Sequence, residues 1–535
     1  MDTPWTRRMF LVGAGVGALT VAGLPSLQRG VPHARAAGER TKFVATWNTS
    51  DILDPHVKYD GSTTVFSLNM YDNLLRYQGN PPEIVPWLAE TYESIDAGRT
   101  WVFHLRRGVT FHDGSELTAE AVRFSFARVL TLGKAPAGAF KRMGLTVEQI
   151  QVRDPYTVEF TLAQPFGPFL AAIPVVAIVN PRIIQAYEQN GDWAEPWLAQ
   201  NEAGSGAYRL VKVDTTTGFT MERFPAFWRG WQEKYLDEVE IRVIREQASR
   251  VLALMKGDVH MIETSLGADV LEKLEKHPRV KVIPAPSMRF FAIRMHNQRE
   301  PFTDPNVRKA FSYAFNYETF IRDIMKGRVV RNPVPMPRQL WGYPTDVPGY
   351  EFDLDKAKDC LRQASVKIAR PIEIHVLATA EPTIQAALLL QSDLGKLGIE
   401  LRIVKGLFPT LVAASKTLET TPDMWIHWIV PQLVDPENWI GEMYDSSSQG
   451  TWKAASWYNN PQVDALLGKA RSVMAQAERA QLYAEACRLI VADAADIWVY
   501  DQIEHVPLAK TVQGFKFSLV GSGQEFWNMF FDARA

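Results

Sequence analysis

Short strand patterns alternate with amphipathic helices along this chain, and no low-complexity linker interrupts them. That alternation restricts the fold to a mixed α/β class. Strand patterns are clearest at 42–47, 101–105, 157–162, 239–245 and 372–377, with a late strand at 497–500. Thr118 is the expected N-cap of a helix whose buried face carries Val122, Phe126, Val129 and Leu130. Asp304 caps a second helix with Pro305 in its first turn and Val307, Ala310, Phe311 and Ala314 inward. Asp353 opens a third, carrying Ala357 and Leu361. A fourth, over 385–397, stops at Gly398 before an alternating strand at 399–403, and a fifth covers 477–492. A chain of 535 residues exceeds what one core covers, so at least two domains are expected. Without a flexible linker, the chain crosses between them on paired strands, a connection suited to hinge motion.

The N-terminus bears on compartment. Thr6-Arg7-Arg8-Met9-Phe10-Leu11 is a twin-arginine pattern, followed by an uncharged stretch from Phe10 to Leu24 and by Ala34-Arg35-Ala36. This reads as a signal peptide cleaved near Ala36, giving an exported, soluble, periplasmic protein. The apolar stretch is short and Gly-rich for a membrane span. Gly13-Ala14-Gly15-Val16-Gly17-Ala18 matches a dinucleotide fingerprint, but no strand precedes it to aim a helix N-terminus at a pyrophosphate. Removal of 1–36 takes away four arginines and Asp2, leaving 54 basic against 59 acidic residues. A net charge near −5 argues against nucleic acid and against an anionic membrane as partner. The longest later apolar run, 166–179, is broken by Pro168 and Pro174.

Cys360 and Cys487 are the only thiols, too few for a cysteine-built metal site. An oxidising compartment permits one disulfide between them, which spacing does not establish. His112 has no second His at ligand spacing, and Gly204-Ser205-Gly206 lacks the spacing of a nucleophile elbow, so it reads as a turn before a strand at 207–213. Acidic pairs such as Asp353/Asp355 and Asp493/Asp496 fall at helix starts or on polar faces. No catalytic residue, metal site or cofactor is expected. Several of the 16 tryptophans fall in loops, which suits an aromatic-walled cleft and equally suits half-buried packing.

Two segments carry a family resemblance. One is Leu105-Arg106-Arg107-Gly108-Val109-Thr110-Phe111-His112-Asp113-Gly114-Ser115-Glu116-Leu117-Thr118-Ala119-Glu120-Ala121-Val122. The other is Glu300-Pro301-Phe302-Thr303-Asp304-Pro305-Asn306-Val307-Arg308-Lys309-Ala310-Phe311. Shorter matches at 204–208, 224–228, 254–258 and 435–438 follow in the same order. Together they resemble the extracytoplasmic solute-binding proteins of peptide-type ABC importers, family 5.

The resemblance implies a two-domain periplasmic-binding-protein fold of type II, large peptide-binding subclass, with a ligand cleft between the domains. Domain I comprises 37–296 plus 501–535, with an extra subdomain at about 60–200. Domain II comprises 297–500, and the crossings fall near 291–296 and 499–505. It implies a monomer that binds a small solute by domain closure and delivers it to a membrane ABC permease complex. The loop before Asp435-Pro436 lines the cleft, and peptide-binding members place an Asp where this chain has Gln432. Dipeptide carriers place an Arg where the nearby polar residues here are His375 and Thr379. Both charge anchors of a free dipeptide are thus absent, which favours a modified peptide, an opine-like compound or an oligosaccharide. Trp425, Trp428 and Trp439 complete the expected ligand-binding set, either stacking on the ligand or packing the interior. Two other classes stay open: an extracytoplasmic receptor serving a sensor, and a hydrolase.

Overall fold

The computed structural model describes residues 41–47, 52–59, 61–214, 216–264, 266–517 and 525–532. The twin-arginine segment and the expected cleavage point at Ala36 lie outside them. The architecture turns on one sheet of eleven strands. These are β1 (Lys42–Trp47), β2 (Tyr208–Asp214), β3 (Gly218–Arg223), β4 (Glu238–Val243), β5 (Met261–Ile262), β6 (Val280–Met295), β7 (Val329–Arg331), β8 (Ile372–Leu377), β9 (Leu401–Gly406), β10 (Met424–Ile429) and β11 (Asp496–Ala509). Their order is β9-β8-β10-β6-β11-β5-β1-β4-β3-β2, with β7 beside β11.

β6 and β11 pair antiparallel from Val280↔Ala509 to Arg294↔Asp496, with register shifts between Pro286 and Phe290 and between Phe291 and Ala292. Pro284, Pro286 and Pro507 supply no N–H to this ladder. On one side of the shifts, Val280 packs with Val44, Leu254 and Ile262 of the first lobe. On the other, Phe291 and Ile293 join the second lobe's core with Phe311, Leu390 and Ile426. Phe290 and Ala292, on the opposite face, join Trp439, Tyr483 and Trp498. Alternation of side chains along a strand produces this division. The first lobe's core centres on Phe43, Trp87, Phe103, Phe126, Phe160 and Tyr208. It includes a smaller sheet ordered Ala89–Ile95, Thr100–Leu105, Thr157–Thr161, Ile150–Asp154.

Local signals locate most helices. Asp304 accepts from the backbone N of Asn306 at 2.8 Å and of Ser365 at 2.5 Å, and Pro305–Ala314 follows. Thr118 holds the N-cap position of Ala119–Leu132 but makes no side-chain capping bond. Helix Glu381–Gly395 starts before the expected 385, because Pro382 fits a first turn whose N–H is unpaired in any case. The late strand runs to Ala509, well past the expected 500. Gly204 precedes β2 in a close crossing: a Cβ there would lie 1.8 Å from the Met70 carbonyl oxygen. Both cysteines are free, and buried Cys487 rests its Sγ 3.7 Å from Met336 Sδ.

Asp501 sits in β11 opposite Phe290, at the edge of the register shift. Its buried carboxylate accepts from Asn332 Nδ2 at 2.6 Å and from the Arg338 backbone N at 3.0 Å. Burial pushes its pKa up to about 7, against the Arg338 and Asn332 bonds and the Arg338 charge. The folded chain therefore holds a proton that the unfolded chain releases near pH 4, and stability falls as pH rises through that window. Urea unfolding should show wild type losing on the order of 2–3 kcal/mol more than Asp501→Asn between pH 5 and pH 8; parallel pH profiles would refute this.

Candidate ligand-binding site

β8, β9 and β10 run parallel, so their C-terminal ends emerge along one edge of the second lobe. In open α/β sheets that edge is where ligands bind. The segments beyond the strands are 378–380, 407–408 and 430–434, and none carries a charged side chain. Leu407 is 59% exposed, Phe408 40% and Val430 37%, at the ends of β9 and β10, the strands on either side of β8. Leu407 and Phe408 escaped the sequence reading, whereas Val430 falls in the loop expected to line the cleft. The available signal was Leu407-Phe408 immediately before Pro409, where strand alternation stops and a helix, Phe408–Ala414, begins.

The loop after β10 is held from behind. Buried Asn438 accepts from the backbone N of Gln432 at 3.0 Å and of Leu433 at 3.3 Å, and donates to the Val430 carbonyl at 3.3 Å. The loop also reaches the first lobe: Gln432 Nε2 donates to the Ala135 carbonyl at 3.1 Å, and the Val434 N to Tyr77 Oη at 3.1 Å. Leu433 is buried in the first lobe's core.

Beneath the loop lies a network of charges. Asp435 accepts from the Glu437 N at 3.0 Å and pairs with Arg479 at 2.7 Å. Glu437 accepts from Arg142 at 2.8 Å, from Arg471 at 2.9 Å and from Tyr483 Oη at 3.0 Å. Burial raises the Asp435 carboxyl's pKa, with the Arg479 charge opposing. Burial also pushes Asp445 upward, but the Arg471 charge and the Ser447 bonds hold it below its usual value.

The six expected ligand residues are distributed unevenly. Thr379 is exposed just past β8, and Gln432 lies just past β10. Trp425 and Trp428 occupy opposite faces of β10. Trp425 stacks on His427 with centroids 4.1 Å apart, whereas Trp428 donates to Tyr500 Oη at 3.1 Å and stands edge-on to Phe291. Trp439 is fully buried among Met288, Phe290 and Tyr444. The three tryptophans form no common platform. His375 lies in the middle of β8 and lines a solvent-open pocket of about 550 Å³ with Arg370, Arg402 and Asp423, toward the strands' N-terminal ends. Burial lowers its pKa.

His112, with its Nδ1 2.7 Å from Glu202 Oε1 and its Nε2 2.9 Å from the Gly206 carbonyl, braces the turn before β2. Among the described residues, no group of three or more His, Cys, Asp or Glu is placed to hold a metal ion. Among them, too, no helix is long and apolar enough to cross a membrane.

Residues 83–451 match the bacterial extracellular solute-binding proteins, family 5 (middle region). The chain is 29% identical over 474 residues to the probable D,D-dipeptide-binding periplasmic protein DdpA of Escherichia coli (strain K12), covering 87% of this chain and 89% of that one. It is 26% identical over 515 residues to heme-binding protein A of Haemophilus influenzae, covering 91% and 92%. The solved structure of the periplasmic binding protein DppA from Helicobacter pylori, in complex with peptide STSA, superposes with a TM-score of 0.80. That match has 26% identity and covers 92% of this chain and 98% of the other.

The Asp435–Arg479 pair is almost wholly buried. Arg479→Met leaves the carboxylate unpaired, and urea unfolding should show a loss of about 3–5 kcal/mol; a loss below about 1 kcal/mol would show that the pair does not anchor the loop.

Proposed function

This chain belongs to the bacterial extracellular solute-binding proteins of family 5, and from that premise we propose that it carries a solute with no free ionic ends. It is the substrate-binding component of a peptide-type ABC importer. Relatives named for a D,D-dipeptide, heme and a peptide span chemically different cargoes, so the cargo follows from this chain's own edge.

The observation that carries the reading is the uncharged composition of 378–380, 407–408 and 430–434, with the neutral amide of Gln432 among them. No arginine lies between Pro371 and Leu401. An α-ammonium or carboxylate buried against these segments finds no counter-charge there, which costs several kcal/mol. Leu407, Phe408 and Val430 offer apolar contact instead. A blocked peptide or an opine-like compound fits, as does an oligosaccharide. Gln432 and Thr379 supply hydrogen bonds at the strand ends, whereas Trp439 packs in the core and His375 lies toward the opposite ends of the strands.

The protein acts as a periplasmic monomer that hands its solute to a membrane permease complex. Its domains take the partition read from the sequence, 37–296 plus 501–535 and 297–500, with the difference that Met288–Met295 of β6 pack in the second lobe's cores, and they close about the irregular stretch of β6 and β11. Export removes the twin-arginine segment, so N-terminal sequencing of periplasmic material should begin at or near Ala37; an intact Met1 there contradicts the assignment.

Calorimetry with Ala-Ala and with N-acetyl-Ala-Ala-amide tests the cargo class. Only the blocked form should bind, and it should lower the radius of gyration in small-angle scattering. Gln432→Ala should weaken that binding roughly five- to a hundredfold. Micromolar binding of free Ala-Ala would overturn the proposal.

A further inference from the structure

The second lobe also holds polar groups that take no part in the strand-end loops. In the antiparallel pair β6/β10, Arg294 stands opposite Trp425 and Ala292 opposite His427. Opposed residues share a face of the sheet, and residues two apart on a strand share it too. Arg294, Trp425 and His427 therefore project to one side, and each is only 1% exposed. Arg294 Nη1 and Nη2, Trp425 Nε1 and both ring nitrogens of His427 have no hydrogen-bond partner among the described residues. Leaving one such buried atom unpaired is costly, and five on three adjacent side chains call for an occupant.

The set is rich in donors. Arg294 Nε lies 2.8 Å from Ser456 Oγ and 2.8 Å from Asp496 Oδ2, so its charge is already balanced. Burial, aided by the Arg294 charge, holds His427 neutral, with one N–H and one lone pair. The guanidinium and indole contribute N–H groups only. An oxygen acceptor satisfies the N–H groups of this set. A carboxylate would add a second buried anion beside Asp496 without a second cation.

The walls lead to the candidate site. The His427 ring lies 5.7 Å from Trp452, and Phe408 lies 5.4 Å from Trp452 and 6.1 Å from Trp425. Half-buried Trp452 and exposed Phe408 carry this aromatic cluster toward the surface beside Leu407, at the end of β9.

We propose that Arg294, Trp425 and His427 form a specificity subsite, roofed by Phe408 and Trp452, for an uncharged oxygen-bearing group of the cargo such as an amide, ketone or hydroxyl. The term cargo rests on the carrier function proposed above; the donor set is testable without it.

The experiment follows ¹⁵N resonances of Trp and His in the full mature chain, with Trp425→Phe for assignment, during titration with formamide and then formate at constant ionic strength. Formamide should shift the Trp425 indole and His427 imidazole saturably, with roughly millimolar affinity for so small a probe. Formate should bind at least tenfold more weakly. His427→Phe, which keeps a ring but removes both nitrogens, should weaken formamide at least tenfold. Absence of a saturable formamide response, or formate binding as tightly, overturns the subsite. Formamide binding while N-acetyl-Ala-Ala-amide stays inert would overturn the blocked-peptide cargo and leave the subsite standing; the converse pair of results would do the reverse.

Discussion

The pairing of β6 with β11 is the contact on which the other elements depend. Both strands serve the cores of both lobes, so each lobe's packing is referred to the same backbone ladder. A ladder of this length would be stiff if regular. Here two register shifts and the prolines at 284 and 286 interrupt it between the lobes. Beyond the shifts Phe290, Phe291 and Ile293 are fully buried in the second lobe, while Val280 at the other end is buried in the first.

The strand-end edge shows a division of labour between charge and contact. Carboxylates and guanidiniums concentrate beneath the loop after β10, where Asp435, Glu437, Arg471 and Arg479 satisfy one another. What the loop presents is uncharged. Buried ion pairs add little net stability, but they define geometry, since each partner is costly to strand. Asn438 transmits that geometry to the backbone of Gln432 and Leu433. A binding edge positioned this way loses little conformational entropy when a ligand arrives.

Elements with local signals were legible from the chain alone. Asp304-Pro305 marked its helix, because capping and a fixed proline φ act within one turn. The glycines at 204 and 206 were read as a turn; the segment is irregular with a bend at 206–207, and the reason they must be glycine, the backbone at Asn69 and Met70, is distant in sequence. β11 was read far too short, since its length depends on pairing with residues more than 200 positions earlier. Thr118 marked its helix start without supplying the bond expected of it. Leu407 and Phe408 at the strand ends went unread, because an exposed and a buried apolar residue look alike in a sequence.

By itself the sequence determined the α/β class, the family and the absence of charge at the segments after β8, β9 and β10. Each of these rests on residue identity or on short-range periodicity, which no folding step alters. Only the tertiary structure decided which side chains meet. It put Trp425 and Trp428 on opposite faces of one strand, buried Trp439, and set His375 away from the strand ends. It also put Arg294, Trp425 and His427, with their unpaired nitrogens, on one face across the β6/β10 pair. Register between strands more than 100 residues apart is set by the packing of whole faces, and no local pattern encodes it.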